Sequence, residues 1–135
     1  MVRSEMNTWK LSRIGKRYYF SASHQLTGVP KTHQCAKLHG HNYVVEVEVR
    51  GEISPVTGFV MDFHEIDRDI KPLISKLDHS HLNDTIDNPT AENIASWILE
   101  RIPRRYAFSV TIWESEKCWA QVVNADGMYK RGHME

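Results

Sequence analysis

With 135 residues and 17 basic against 17 acidic side chains, the chain is long enough for one domain with a real core, read as spanning 1–135, and carries no net formal charge. That balance gives no electrostatic case for a nucleic acid or an anionic membrane as partner. Residues 1–12 mix charges of both signs, and no run is apolar enough for a signal peptide or a membrane span, so a cytoplasmic location is expected. Cys35 and Cys118 are accordingly read as free thiols.

A first strand is expected over Ile14–His24, with Tyr18, Phe20, Ala22 and His24 on one face by period two. A loop containing Gly28, Pro30 and Lys31 then delivers Cys35-Ala36-Lys37-Leu38-His39-Gly40-His41. Residues two apart on an extended chain project to the same side. His39 and His41 can therefore face one point, and His24 can join them from a neighbouring strand. Three imidazoles suit Zn²⁺ and leave a fourth position open, which is the catalytic rather than the structural arrangement. Gly40 is read as permitting a tight bend between two ligands. Cys35, flanked by Gln34, Ala36 and Lys37 rather than by apolar residues, is either a fourth ligand or a reactive thiol favoured as thiolate by nearby positive charge. His33 is a weaker candidate, read as an outer or exposed residue.

From Tyr43 to Arg50, Tyr43, Val45, Val47 and Val49 alternate with polar residues, as in an antiparallel sheet with one buried face. Residues 54–58 read as a turn, and Phe59–Met61 as a short edge strand or extended segment. Asp62 caps a helix whose stripe is Phe63, Ile66, Ile70, Leu73, Ile74 and Leu77, with Pro72 expected to kink or interrupt it. The polar stretch 77–89 holds Asp78, His79, His81, Asn83, Asp84, Asp87 and Asn88. Its Asp78-His79 pair has acid–base capability, since a carboxylate can hold an imidazole in one tautomer.

A second helix is expected to start at Thr90 as N-cap, with Glu92 in its first turn, and to end at Pro103 after burying Ile94, Trp97, Ile98 and Ile102. Phe108, Val110 and Ile112 mark a third strand that ends at Glu114. By parity Glu114 turns toward the apolar face, where a carboxylate needs a partner. An ion pair to another subunit and an N–H pair on a ligand both satisfy that need. Cys118 to Val123 pairs back as a fourth strand, and residue 124 onward reads as a polar tail with little to bury. The order ββααββ makes an α+β domain, a four-stranded antiparallel sheet with two helices packed on one face. Such a sheet leaves two edges and a second face that subunit association could cover.

The ordered set Phe20-Ser21-Ala22-Ser23-His24, Cys35-x3-His39-Gly40-His41, Gly58-Phe59-Val60-Met61-Asp62-Phe63, Leu77-Asp78-His79, Leu82-Asn83-Asp84, Asn88-Pro89-Thr90-x-Glu92-Asn93 and a strand ending in Glu114 resembles the 6-pyruvoyl/6-carboxy-tetrahydropterin synthase family of tunnelling-fold enzymes. The resemblance implies that His24, His39 and His41 hold Zn²⁺ and that Cys35 is the catalytic base. It further implies that Asp78 and His79 assist proton transfer, and that Glu114 anchors the pterin, with added ring contacts from Thr90 and Glu92. The implied activity is that of a zinc-dependent lyase acting on 7,8-dihydroneopterin triphosphate. Trimeric barrels stacked as a homohexamer (a dimer of trimers), with active sites at subunit interfaces, are implied as well. Three residues between Cys35 and His39 make the loop similar to bacterial 6-carboxy members, which release acetaldehyde and triphosphate on the route to queuosine-type 7-deazaguanine nucleosides. A pyruvoyl-type synthase and a non-catalytic zinc-binding assembly module are the alternatives.

Overall fold

A computed structural model describes residues 10–131. β1 (Leu11–His24) and β2 (His39–Glu52) pair antiparallel along their whole length, from Leu11 opposite Glu52 to His24 opposite His39. The segment that carries His39 and His41 is thus the start of β2 itself. α1 (Phe63–Leu77) follows, then β3 (Ser80–His81), α2 (Ala91–Arg101), β4 (Ala107–Trp113) and β5 (Trp119–Val123).

The strand order is β3-β1-β2-β4-β5. The four long strands are antiparallel as expected, but β3 pairs parallel to β1 at Ala22 and Ser23, so the sheet is five-stranded and mixed. This corrects the four-stranded, wholly antiparallel expectation. The addition comes from the way the chain leaves α1: His79 donates its N–H to the Ser21 carbonyl at 2.6 Å and lays the next two residues along the β1 edge.

The face of β1 and β2 that carries Tyr18, Phe20, Tyr43, Val45, Val47 and Val49 packs under the helices. The three valines are 0% exposed, as are Ile66 and Ile70 of α1 and Ile94 and Ile98 of α2. Each such side chain contributes about 1.5–3 kcal/mol of burial. α1 is also tied to β1 by polar contacts, because Asp67 accepts from Lys16 Nζ at 2.6 Å and Tyr18 Oη at 2.7 Å. On the opposite face, Arg13 and Arg50 both reach Glu48, and Arg17 reaches Glu46.

Four local expectations are corrected. α1 runs unbroken through Pro72, because Pro72 and Arg68, whose carbonyl loses its helical donor, both lie on the exposed side where water can serve that carbonyl. Phe59–Met61 is neither a strand nor extended, because the chain bends at Val60 and Met61, whose side chains are buried. In β4 the alternation fails at Phe108. Glu48 pairs with Ser109 but Val49 with Ala107, so Phe108 is the extra residue of a bulge. Ala107 takes the core position, and Phe108 lies on the polar face with the Arg50 guanidinium 3.4 Å from its ring centre. Beyond Asn124 the chain is anchored, since Tyr129 is 8% exposed and donates its N–H to the Arg50 carbonyl.

Candidate active site

His24 and His39 are cross-strand partners where β1 and β2 meet, and His41, opposite Ala22, projects from the same face. The three rings offer nitrogens that all lie within 4.8 Å of one another. His24 Nδ1 donates to the Pro89 carbonyl at 2.7 Å, and His39 Nδ1 donates to the Lys37 carbonyl at 2.7 Å. A neutral imidazole has one N–H, so both rings have spent theirs, and their Nε2 lone pairs face each other at 2.8 Å. His41 Nε2 is buried with no hydrogen-bond partner. Convergent lone pairs with nothing to accept from are what a cation requires. Carbonyl-held Nδ1–H groups are also the usual means of orienting ligating histidines.

Burial pushes His24 below the ordinary histidine range, with the Pro89 carbonyl opposing and the other two histidines reinforcing. His41 is pushed down by burial too, against the pull of Glu114. Both therefore stay neutral and able to bind metal at neutral pH. Tyr43 Oη lies 3.2 Å from His24 Nδ1 and is a fully buried part of the same wall. Gly40 does not make the bend foreseen for it, because it sits within extended β2. Its need is for space: a Cβ there would stand 3.2 Å from the Ala22 carbonyl, in the rung between the ligands.

The loop between His24 and His39 is held from several sides. Asn83 clamps Gln25 through both its N–H (2.9 Å) and its carbonyl (2.7 Å), and Asn88 accepts from Thr27 and Gly28. Leu26 donates to the Cys35 carbonyl at 2.9 Å, and the His39 ring holds Lys37. Cys35 is thus fastened to the strand ends that carry the histidines. Its half-buried thiol is not among the donors that converge with them, which leaves the fourth-ligand reading without support. The clamps of Asn83 and Asn88 were not foreseen. Both residues stand out in the sequence as polar loop members, yet their partners are about sixty positions away and leave no local signal.

Asp78 and His79 form the expected pair, with Asp78 Oδ2 3.0 Å from His79 Nδ1 and Oδ1 accepting from Ser21 N–H at 3.0 Å. The Ser21 N–H, followed by the His79 imidazole, holds the Asp78 carboxyl below the usual carboxylate range. His79 adopts φ of 56° and exposes 84% of its side chain beside the β1 edge. It lines, with His41, Ser21 and Ser23, a cleft of about 430 Å³.

Glu114 keeps the parity of Ile112 as expected, and its Oε2 lies 3.9 Å from His41 Nε2. Both line a second cleft, of about 680 Å³, together with Arg17 and Trp113. Thr90 and Glu92 are not brought there. Thr90 Oγ1 caps α2 by accepting from Asn93 N–H at 3.1 Å, and Glu92 is exposed in the first turn.

Residues 13–125 match the family model of 6-pyruvoyl tetrahydropterin synthase, and the chain belongs to that family. A protein of Archaeoglobus fulgidus, provisionally named 6-carboxy-5,6,7,8-tetrahydropterin synthase, is 38% identical over 111 residues, which cover 81% of this chain and 93% of that protein. The dihydroneopterin monophosphate aldolase of Pyrococcus furiosus is 39% identical over 111 residues, covering 78% and 92%. The 6-pyruvoyl tetrahydropterin synthase structure of Caenorhabditis elegans superposes with a TM-score of 0.77 at 25% identity, over 84% of this chain and 96% of that one. The fold is thus that of the 6-pyruvoyl tetrahydropterin synthase family, its three clustered histidines could hold a metal ion, and no described helix is long and apolar enough to cross a membrane.

Proposed function

We propose that the protein is a zinc-dependent 6-carboxy-5,6,7,8-tetrahydropterin synthase, a lyase that converts 7,8-dihydroneopterin triphosphate and water to 6-carboxytetrahydropterin, acetaldehyde and triphosphate. The observation that carries this reading is the 3.9 Å approach of Glu114 to His41 in one cleft. A pterin ring held by the carboxylate there has its side chain beside the three histidines. The relative of Archaeoglobus fulgidus supports the choice of product.

In this reading His24, His39 and His41 hold the metal. When bound, zinc supplies Lewis-acid polarisation of the side-chain hydroxyls. Glu114 accepts two ring N–H groups and fixes the substrate's orientation. Cys35, as thiolate, removes a proton from the side-chain carbon next to the ring. His79, its ring oriented by Asp78, returns a proton to the substrate. Thr90 and Glu92, which lie outside the Glu114 cleft in their own chain, are proposed as ring contacts only across a subunit interface, Thr90 in addition to its capping role. The exposed His79 and the β1 edge, which among the described residues pairs only with β3, fit assembly into a homohexamer, in which a neighbour's Asp78 and His79 serve each site. Light scattering that returned a single 15.7-kDa chain instead of six would contradict that assembly. The product would enter 7-deazaguanine synthesis in the cytoplasm.

The Pyrococcus furiosus relative, as similar as the first, favours a second reading as a dihydroneopterin monophosphate aldolase. The same pterin would bind, but its monophosphorylated side chain would be split by retro-aldol cleavage into a two-carbon aldehyde phosphate and a hydroxymethyl pterin. Supplying the triphosphate and the monophosphate separately, and identifying products by mass, separates the two.

A further inference from the structure

The three-residue 3₁₀ turn at Gln34–Ala36 carries Cys35, and its N-cap is His33. The His33 ring Nδ1 accepts the Cys35 backbone N–H at 3.0 Å. His33 is exposed and contributes nothing to the core. Its own backbone completes the turn: its N–H donates to the Pro30 carbonyl at 2.8 Å, and its carbonyl accepts from Ala36 at 3.0 Å. Cys35 is therefore gripped at both of its backbone polar groups, by the His33 ring at its N–H and by Leu26 at its carbonyl. The Leu26 grip ties the residue to the end of β1. The His33 grip holds the winding of the turn, and with it the direction of the Cα–Cβ bond that carries Sγ.

We propose that His33 is a positioning residue for Cys35, aiming the thiol by capping its turn through ring Nδ1. The usual N-cap side chains act in the same manner, offering an acceptor to an N–H two or three residues on. Asn fits this position best, because its Oδ1 reaches the N–H two residues ahead in an Asx turn. A histidine can do so only with Nδ1 unprotonated and the proton on Nε2. The proposal rests on the reading of Cys35 as the base where it concerns turnover, but not where it concerns the thiol itself.

The test uses the full-length, zinc-loaded chain carrying Cys118→Ser, so that Cys35 is the thiol left to modify. Iodoacetamide alkylation of Cys35 is followed by mass across a pH series, and kcat and KM are measured in parallel, for the parent, His33→Ala and His33→Asn. Loss of a cap corresponds to about a fivefold effect. The expected result is that His33→Ala changes the alkylation rate and lowers kcat by about that factor with KM unchanged, and that His33→Asn restores both. An alkylation profile unchanged by His33→Ala, or equal loss in the Asn and Ala variants, overturns the proposal. If Cys35→Ala retains full turnover, the assignment of the base fails, while the alkylation result still decides whether His33 positions the thiol. Circular dichroism and thermal unfolding confirm that each variant folds.

Discussion

The Nε2 atoms of His24 and His39 face each other across a β1–β2 rung at 2.8 Å, each ring having already given its proton to a main-chain carbonyl. Two lone pairs at that distance repel unless a cation lies against both. The folded chain therefore brings together three histidines that could hold a metal ion. Chelation is expected to lower the thermal midpoint and added Zn²⁺ to restore it, since a ligand at a hundred times its Kd contributes about 2.7 kcal/mol. His39→Ala is expected to lose stoichiometric zinc by atomic absorption; full retention would remove His39 from the ligand set.

Glu114 is expected to act on substrate affinity and not on the metal. Glu114→Gln keeps the shape but removes the charge, and hydrogen bonds to charged groups contribute about 1.5–3 kcal/mol. kcat/KM should fall by about 10–100-fold while zinc content stays at the parent level. A variant with parent kinetics would show that the ring is anchored elsewhere.

Asp78 has two partners, the Ser21 N–H and the His79 ring. Asp78→Asn can still accept from Ser21, so the fold should survive, but it no longer stabilises a protonated His79. A fall in kcat of about 10²-fold is expected, in the range of general acid–base contributions. Loss of thermal stability without loss of kcat would make the pair structural.

Stability should depend on pH through Asp67. The Lys16 ammonium, together with the Tyr18 hydroxyl, holds its carboxyl below the ordinary range. A carboxyl whose pKa is depressed in the folded state stabilises above its unfolded value, near 3.9, and that contribution disappears as pH falls through the folded value. Asp67→Asn should therefore cost about 1–2 kcal/mol at pH 7, and the difference from the parent should shrink as pH falls below the unfolded value. Parallel urea-midpoint curves for the two proteins across that range would refute the assignment.

Much of the site can be read in the sequence because its parts obey local rules. His39 and His41 share a face because β2 has period two, and Glu114 points inward because Ile112 does. Several of the misreadings lie where a distant partner decides. β3 owes its existence to the Ser21 carbonyl, not to a pattern within two residues. Phe108 leaves the core side because the ladder slips between Glu48 and Val49. Gly40 answers to the Ala22 carbonyl across the rung.

The most direct test is to supply 7,8-dihydroneopterin triphosphate to the zinc-loaded protein without oxygen and identify every product by mass. The account predicts 6-carboxytetrahydropterin, acetaldehyde and triphosphate in equal amounts. A 6-pyruvoyl product, or an unreacted triphosphate alongside a two-carbon aldehyde phosphate formed from the monophosphate, would contradict it.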